Sequence, residues 1–211
     1  MKQEEKNKRS RELIEIAAIH AFAQQGFAHA NLNQMCRENN ISKGKLYHYY
    51  SSKDDLIVAC ARRIADRLER DARAYTVDRQ LDIAANMHDF YNDRITFWCE
   101  NPDAFAFLHH CLCCKDEHLH SKLAMESQIF SAGMKDKTLE IIHASDETVC
   151  VSDEDVYSTV QVVYDYVLME YMRRVVELNT AGDKAGAQLQ QQALLQHYDR
   201  LIQILLHGIL A

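Results

Sequence analysis

Residues that end helices are scarce along this chain. Its 211 residues include one proline, Pro102, and six glycines that are spread thinly. Strand-and-turn architectures need such residues at each tight turn. Apolar residues instead recur at helical spacing, for example in residues 14–27 and 56–68. The sequence therefore predicts an all-α protein.

The second half of the chain continues this pattern. Pro102 follows Asn101 and ends one helix, because a residue before proline avoids the helical conformation. A polar segment at residues 145–153 is predicted to be a loop that ends in a cap at Ser152 or Asp153. The helices predicted after residue 53 cover approximately residues 56–68, 81–99, 104–114, 119–143, 156–178 and 189–210.

Two short helices joined by a tight turn are predicted between residues 31 and 50. Asn31, with Gln34 three residues later, is typical of a capping box that opens a helix over Leu32–Glu38. Residues 39–41 supply the turn, since asparagine tolerates positive φ, and Ser42 caps the helix that follows. This is the arrangement of a helix-turn-helix, whose second helix enters the major groove of DNA.

The second of these helices carries small, basic and aromatic residues. Gly44 would let a phosphate approach the backbone amides at the positive end of the helix dipole, and lysines beside it add charge. Lys53, near the start of the next helix, is placed to reach another phosphate. The predicted DNA contacts are Asn31, Asn33, Ser42, Lys43, Gly44, Lys45, Tyr47, His48 and Lys53.

Residues 21–27, AlaPheAlaGlnGlnGlyPhe, and residues 41–56, IleSerLysGlyLysLeuTyrHisTyrTyrSerSerLysAspAspLeu, resemble the N-terminal domain of TetR-type transcriptional regulators. The resemblance covers about residues 9–60. It implies an N-terminal three-helix DNA-binding domain at 1–53, phosphate contacts from Tyr47 and Lys53, and a helical regulatory and dimerisation domain at 54–211. Where the family usually has Thr or Ser opening its second helix, this chain has HisAlaAsn, 29–31, so Asn31 is expected to take that role.

Charge is divided unevenly between these two parts. Residues 1–53 carry nine Lys/Arg and five Asp/Glu, a net charge of +4, whereas the remainder carries 15 basic and 26 acidic residues. A basic N-terminal part on an acidic body is consistent with a double-stranded DNA partner for the first part.

Several classes of protein are disfavoured. No run approaches the ~18 apolar residues of a membrane span, and the polar N-terminus is unlike a secretory signal. Seven cysteines, an odd number without an export signal, indicate reduced thiols in the cytoplasm. No glycine-rich phosphate loop, GlyXaaSerXaaGly elbow or HisGluXaaXaaHis pair is present, so neither an enzyme nor a cofactor is expected.

The last two predicted helices have apolar residues on several faces, especially residues 156–178. A helix of this kind must be buried on several sides, and a second copy of the chain is the simplest cover. The family resemblance implies the same pairing, a four-helix interface between two subunits. We therefore predict a homodimer held through residues 154–210; the alternative is a monomer with a large core.

A small-molecule effector is expected in an apolar cavity of the body, mainly because of the family resemblance. The alternative is that the same residues are ordinary core. The candidate lining residues are Tyr91, Trp98, Phe105, Leu108, Met125, Ile129, Tyr164 and Leu168.

A second candidate site is the segment 109–120, with four histidines and three cysteines. If the segment is helical, His110, Cys114 and His118 fall on one face, and thiolate with imidazole suits zinc or copper(I). Thiols beside a lysine and histidines also suit a redox sensor, with Cys111 and Cys113 as further members. Core packing of the cysteines is the third interpretation.

The expected function is a transcriptional regulator, by family default a repressor, that a small molecule releases from its operator. The alternatives are a thiol- or metal-responsive regulator that uses the 109–120 cluster, and a DNA-bound adaptor that docks a protein partner.

Overall fold

A computed structural model describes residues 2–145 and 149–209, without the side chains of Lys2, Ile129, Phe130 and Ile209. Within that part, nine helices follow one another, and the predicted all-α fold is confirmed. The helices are α1 Lys2–His29, α2 Leu32–Glu38, α3 Lys43–Tyr49, α4 Lys53–Ala74, α5 Ile83–Glu100, α6 Pro102–Leu112, α7 Glu117–Ile142, α8 Asp153–Thr180 and α9 Lys184–Ile209.

The first helix is longer than its apolar pattern predicts. Helix α1 begins at Lys2 rather than near residue 14, because residues 2–13 are mostly Lys, Glu, Gln and Arg, which favour helix without an apolar face. Gly26 interrupts α1 with φ 71°, in the left-handed region that favours glycine. The predicted break at Gly26 is thus confirmed.

Side-chain caps fix several helix starts. Asp82 Oδ1 accepts a hydrogen bond from the Ala85 amide at 2.7 Å, and Ser152 Oγ accepts one from the Asp155 amide at 3.2 Å. Of the two residues predicted to cap α8, Ser152 is therefore the cap. Residues 146–148 of the predicted loop lie outside the described part of the chain.

The chain divides into two compact units. The first contains residues 1–68 and 103–130, and the second contains residues 69–102 and 131–211. Helices α4 and α7 therefore contribute residues to both. The functional boundary predicted at residue 53 is a different division and stays a prediction.

In the first unit, α1, α4 and α6 supply a buried aromatic and aliphatic core. Phe22 packs on Phe27 and Phe107, with ring centroids 5.6 and 6.1 Å apart. The Arg62 guanidinium of α4 binds the buried carboxylate of Glu126 on α7 through two hydrogen bonds, at 3.0 and 2.5 Å. These contacts make one body of segments that are distant in sequence.

The second unit is built from α5, α8 and α9 with the C-terminal parts of α4 and α7. The predicted apolar surplus on α8 is divided between two faces. One face is buried, with Val160, Tyr164, Val167 and Met172, whereas Val162, Tyr166 and Met169 are exposed. Within the described residues, no helix is long and apolar enough to cross a membrane.

Candidate nucleic-acid interface

Helix α2 begins as predicted, with one difference in its cap. Asn31 Oδ1 accepts hydrogen bonds from the amides of Asn33 and Gln34, at 3.0 and 3.1 Å. The reciprocal half of the predicted capping box is wrong. The Asn31 backbone amide donates to Gln25 Oε1 at 3.1 Å, and the Gln34 side-chain amide donates to Glu38 Oε1 at 2.8 Å. The Gly26 interruption brings Gln25 to the Asn31 amide and leaves Gln34 free to bond along its own helix.

A tight turn separates α2 from α3 at the predicted position. Asn40 has φ 54°, the positive value that asparagine tolerates. The Ile41 amide then donates to the Cys36 carbonyl at 2.8 Å, which closes the turn.

Helix α3 has one buried side and one open side. Ser42 Oγ accepts a hydrogen bond from the Lys45 amide at 3.2 Å, as predicted for the cap. Leu46 is buried beneath the helix and fixes its rotation. Lys43, Gly44, Lys45, Tyr47 and His48 are all exposed, and Tyr47 keeps 54% of its surface accessible.

The backbone near Gly44 is open to an incoming group. A Cβ built at this position would have no heavy atom within 4 Å, apart from the helix's own backbone and the chain neighbours. The first turn of α3 therefore has open space beside Gly44, at the positive end of the helix dipole. Asn31 and Asn33 on the preceding helix are exposed as well.

Two tyrosines that the sequence analysis did not select hold α3 in place. Tyr49 Oη donates to Asn7 Oδ1 at 3.1 Å, and Tyr50 Oη donates to Glu15 Oε1 at 2.7 Å. Burial raises the pKa of the Tyr50 phenol, and the Glu15 carboxylate raises it further. Glu15 also accepts from Arg63 Nη1 at 3.3 Å. Tyr49 is 42 residues from Asn7 in sequence, and Tyr50 is 35 residues from Glu15. Sequence spacing alone therefore gave no signal for these two contacts.

Lys53 has acceptors within the protein. Its ammonium donates to the carbonyls of Ala30 at 2.9 Å and Ala28 at 3.3 Å, at the end of α1. Burial lowers the pKa of Lys53, and Asp54 opposes that effect. The predicted phosphate contact of Lys53 stays a prediction, and it requires the ammonium to exchange these acceptors.

The candidate effector residues are divided between the two compact units. Tyr91, Trp98, Tyr164 and Leu168 are buried in the second unit, where Trp98 Nε1 donates to Tyr164 Oη at 2.9 Å. The other four are in the first unit: Phe105 is buried, Leu108 is half-buried, Met125 is 66% exposed, and the Ile129 side chain lies outside the described residues.

Sequence reasoning missed two buried polar residues near this aromatic group, Arg94 and Tyr198. Arg94 lies three residues after Tyr91 and four before Trp98, so the helical repeat gives it the same face of α5. That spacing was the available signal for Arg94. Tyr198 lies on the buried face of α9 with Leu194 and Ile202.

The Cys/His segment does not form the predicted single helical face. Helix α6 ends at Leu112 and α7 begins at Glu117. His110 therefore lies on α6, Cys114 lies between the two helices, and His118 lies on α7. Among the residues that the structure describes, no three His, Cys, Asp or Glu side chains are grouped so as to hold a metal ion. The intervening residues 113–116 are non-helical, which separates the proposed ligands.

The individual cysteines of this segment differ in environment. Cys113 is exposed, with Sγ 3.8 Å from His109 Nε2. Cys114 Sγ donates to the Asp116 carbonyl at 3.8 Å. Burial raises the pKa of Cys111 to about 12, so this thiol stays protonated at neutral pH. A redox role for the segment stays a prediction.

Residues 16–60 match the family model described as bacterial regulatory proteins, tetR family. Over 66 residues, the chain is 38% identical to the HTH-type transcriptional regulator BetI of Brucella canis, an alignment that covers 31% of this chain and 33% of that protein. It is 31% identical over 61 residues to the HTH-type transcriptional regulator HbdR of Aromatoleum sp., covering 29% and 27% of the two chains. The alignments thus span 33% and 27% of the length of these curated relatives, which are regulators rather than enzymes.

Two solved structures share the fold across nearly the whole chain. A putative TetR-family regulator from Mesorhizobium loti aligns with a TM-score of 0.68 at 12% identity, covering 97% of this chain and 98% of that one. The regulator FadR from Bacillus subtilis, solved in complex with stearoyl-CoA, aligns with a TM-score of 0.64 at 12% identity, covering 89% and 96%. At this identity, the likeness establishes the fold alone.

Proposed function

We propose that this chain, which belongs to the TetR family of bacterial transcriptional regulators, binds an operator in double-stranded DNA as a homodimer and leaves it when a small-molecule effector binds. Residues 1–53 would contact DNA, and residues 54–211 would bind the effector and the second subunit. Repression is the expected sign of regulation, as the default that the family resemblance implies.

The observation that carries this proposal is the open side of α3. Lys43, Lys45, Tyr47 and His48 are exposed together above the buried anchor Leu46. Exposed lysines at the start of a helix attract phosphates, and the amides beside Gly44 can donate to phosphate oxygens. The aromatic side chains one turn later supply further contacts to the backbone or to base edges.

A homodimer is supported by the exposed apolar side chains on α8 and α9. Val162 is 66% exposed and Ile204 is 71% exposed, and Tyr166 and Met169 continue the exposed face of α8. A surface of this kind is typical of a protein interface. A dimer would also place two recognition helices on two half-sites about 34–36 Å apart, which gives more sequence discrimination than one helix.

An effector-binding body is supported by the family and by the fold. FadR of Bacillus subtilis, which shares the fold over 89% of this chain, was solved with stearoyl-CoA. The second compact unit of this chain has polar side chains in an aromatic core, an arrangement suited to an apolar ligand with one polar group. Binding can release DNA only if the effector prefers the body conformation that does not fit the operator.

Selection from a random double-stranded DNA library tests the proposal. We expect the recovered sequences to share an inverted repeat whose half-sites are about 10 base pairs apart, centre to centre. The control is Lys45→Glu, which reverses one charge on the open side of α3 and leaves its cap and Leu46 in place. This variant should enrich no sequence. Enrichment of the same repeat by both proteins would contradict the assignment of α3.

A further inference from the structure

Two cysteines, three positions apart, lie at the end of helix α6 in the first compact unit. Cys111 is on the last turn of the helix, and Cys114 follows it in the connection to α7. The Cys114 backbone amide donates to the Cys111 carbonyl at 3.3 Å. A turn closed by this bond keeps the Cα atoms of its first and fourth residues within about 7 Å, and a disulfide needs about 4.4–6.8 Å. The backbone therefore already holds the two residues at a separation that a disulfide can span.

The side chains of this pair also lie near each other. Burial raises the pKa of the Cys111 thiol to about 12, and negative charge on Cys114 contributes to the rise. Cys111 in turn contributes to the raised pKa of Cys60, a buried thiol on α4. Because such an electrostatic effect weakens with distance, Cys111 has one thiol neighbour toward the core and a second, half-exposed one in Cys114.

The third cysteine of the segment has no suitable partner within it. Cys113 is exposed, and its sulfur lies 3.8 Å from His109 Nε2. Cys113 is adjacent to Cys114, and neighbouring Cα atoms are only about 3.8 Å apart, below the usual range for a disulfide. Cys111 is two positions away at the end of a helix, where such residues do not face each other. The favoured pair is therefore Cys111 with Cys114.

The neighbour of this pair in sequence packs against the end of α1. His110 Nε2 is 3.3 Å from the Ala23 carbonyl oxygen, and the His110 ring lies 5.8 Å from the Phe27 ring, between centroids. A Cβ at Gly26 would lie 3.5 Å from the same imidazole. The last turn of α6 is thus in direct contact with the interruption of α1.

That part of α1 also holds the start of α2. Gln25 Oε1 accepts a hydrogen bond from the Asn31 backbone amide at 3.1 Å, and Asn31 caps α2. A bond between the sulfurs of Cys111 and Cys114 would draw Cys111 Sγ out of its buried environment. We expect this movement to displace His110 beside it and to loosen the connection from α1 to α2.

We propose that Cys111 and Cys114 are a dithiol that hydroperoxides oxidise to a disulfide, and that this disulfide weakens DNA binding. A protonated thiol is a poor nucleophile, so Cys114 rather than the buried Cys111 reacts first. Its sulfur bonds to one oxygen of the hydroperoxide, the O–O bond breaks, and the other oxygen leaves with the thiol proton as an alcohol or water. The inference rests on the proposed function in one respect, namely that the chain binds DNA.

The second step forms the disulfide. The Cys111 sulfur attacks the sulfenic acid on Cys114, the S–O bond breaks, and the hydroxyl leaves with the Cys111 proton as water. Only a small fraction of Cys111 is deprotonated at neutral pH, but its attack is intramolecular, and proximity of this kind raises the effective concentration greatly. In total, two thiols lose two electrons and the hydroperoxide is reduced by the same two.

Thiol counting and peptide mass spectrometry test the modification itself. The full-length protein is treated with hydrogen peroxide, its remaining thiols are blocked, and the tryptic peptide of residues 95–115 is sequenced. We expect two of the seven thiols to be lost, no backbone fragments from cleavage between residues 111 and 114, and recovery of both thiols with dithiothreitol. This measurement requires no knowledge of the operator.

Operator titrations and hydrogen exchange test the consequence. Oxidised protein should bind its selected DNA roughly tenfold more weakly, within the usual range of coupling between two sites, and dithiothreitol should restore the affinity. Backbone amides of residues 23–34 should exchange faster in the oxidised protein, because their connection is loosened. Hydrogen exchange reports this change without DNA.

Three variants identify the cysteines responsible. Cys111→Ser and Cys114→Ser each remove one partner, so both should form no disulfide and keep their operator affinity after the same treatment. Cys113→Ser is the matched control, since it removes the exposed thiol of the segment and leaves the pair intact. It should lose two thiols and weaken DNA binding as the parent does.

The outcomes separate this inference from the proposed function. Seven thiols after millimolar peroxide, or a disulfide that involves Cys113, would overturn the site, and the parent alone decides this if a serine variant does not fold. In a protein that binds its selected DNA, a disulfide between Cys111 and Cys114 with unchanged affinity would overturn the regulatory role. A disulfide that speeds exchange over residues 23–34 in a protein that enriches no DNA would refute the proposed function and support the dithiol.

Discussion

The ammonium group of Lys53 binds backbone carbonyls at the C-terminal end of α1. It donates to the carbonyls of Ala28 and Ala30, which follow the interruption at Gly26. These carbonyls lie at the end of α1, where backbone acceptors have no partner within the helix. A side chain that is expected to reach a phosphate therefore also organises the turn before α2.

Replacing Lys53 with Met should lower the free energy of unfolding by about 1 kcal/mol, because the two carbonyls lose their donor. It should also reduce the salt dependence of operator binding by about one unit of slope per subunit, if the ammonium moves to a phosphate in the complex. Urea unfolding at one fixed protein concentration and DNA titrations at several salt concentrations measure the two effects.

The matched control is Lys43→Met, on the exposed start of α3. Its free energy of unfolding should stay within about 0.5 kcal/mol of the parent, as for most surface substitutions. A Lys53→Met protein with unchanged stability would show that the carbonyl contacts contribute nothing. An unchanged salt slope would show that Lys53 stays on them in the complex.

Local contacts were the ones that the sequence predicted well. Asn31 and Ser42 cap amides two or three residues away, and such short-range bonds follow from residue type and spacing. The contacts of Lys53 and Gln25 were harder to predict, because the backbone groups that they bind lie after the interruption of α1 at Gly26. Tyr50 meets Glu15 across 35 residues of sequence, a pairing that no local rule contains.

The two glycines of residues 1–53, Gly26 and Gly44, have opposite roles in their helices. Gly26 has φ 71°, and a Cβ there would touch the His110 ring at 3.5 Å. Gly44 is in helix α3 with open space around the position of its missing Cβ. The backbone conformation requires glycine at position 26. Position 44 has room for a side chain in the protein without DNA.

Gly26→Ala should therefore destabilise the protein by about 1–3 kcal/mol, the cost of a positive-φ, extended-ψ conformation that residues with a Cβ rarely adopt. Gly44→Ala should raise stability slightly, by about 0.5 kcal/mol, because alanine favours helix. The same Gly44→Ala change should weaken operator binding, since its methyl group lies where a phosphate would approach the amides. Urea unfolding midpoints of both variants measure the changes in stability, and DNA titrations measure the change in operator binding.

These two effects distinguish a glycine that the fold requires from a glycine that the DNA interface requires. If Gly44→Ala bound DNA as tightly as the parent, the first turn of α3 would not approach the phosphate backbone closely. If Gly26→Ala were as stable as the parent, the interruption of α1 would not need glycine.

Helix ends were less predictable where several polar residues follow one another. The repeat of His and Cys over residues 109–120 fits helical spacing, yet α6 ends at Leu112. Asp116 Oδ1 accepts a hydrogen bond from the Leu119 amide at 2.8 Å and starts α7 instead. A capping aspartate within a periodic segment thus outweighed the periodicity, and it removed the alignment on which the metal hypothesis depended.

At the scale of the whole molecule, the exposed apolar faces of α8 and α9 predict a dimer. Val162→Glu with Ile204→Glu should give monomers with native helix content, because both side chains are exposed within one chain. Light scattering coupled to size exclusion measures the mass. Leu81→Glu, at a 41% exposed leucine outside these helices, is the control and should leave a dimer. A parent protein that is monomeric at micromolar concentration would contradict the proposal.

The all-α fold and the order of its helices followed from the sequence because helix periodicity and breakers act locally. The interior of the second unit did not. Buried positions on α5, α8 and α9 were recognisable, but which hydroxyl meets which partner depends on packing between distant helices. Tyr198 and Arg94 are the clearest examples, since both look like ordinary members of amphipathic helices until their burial is known.

The salt dependence of operator binding by the parent and by Lys43→Ala/Lys45→Ala tests the central claim most directly. If the open side of α3 contacts the phosphates, the slope of log K against log salt should fall by about two units per subunit, or about four per dimer. The double variant should keep its dimer mass and its unfolding midpoint. An unchanged slope in a folded, dimeric double variant would contradict the assignment of α3 as the DNA-binding helix.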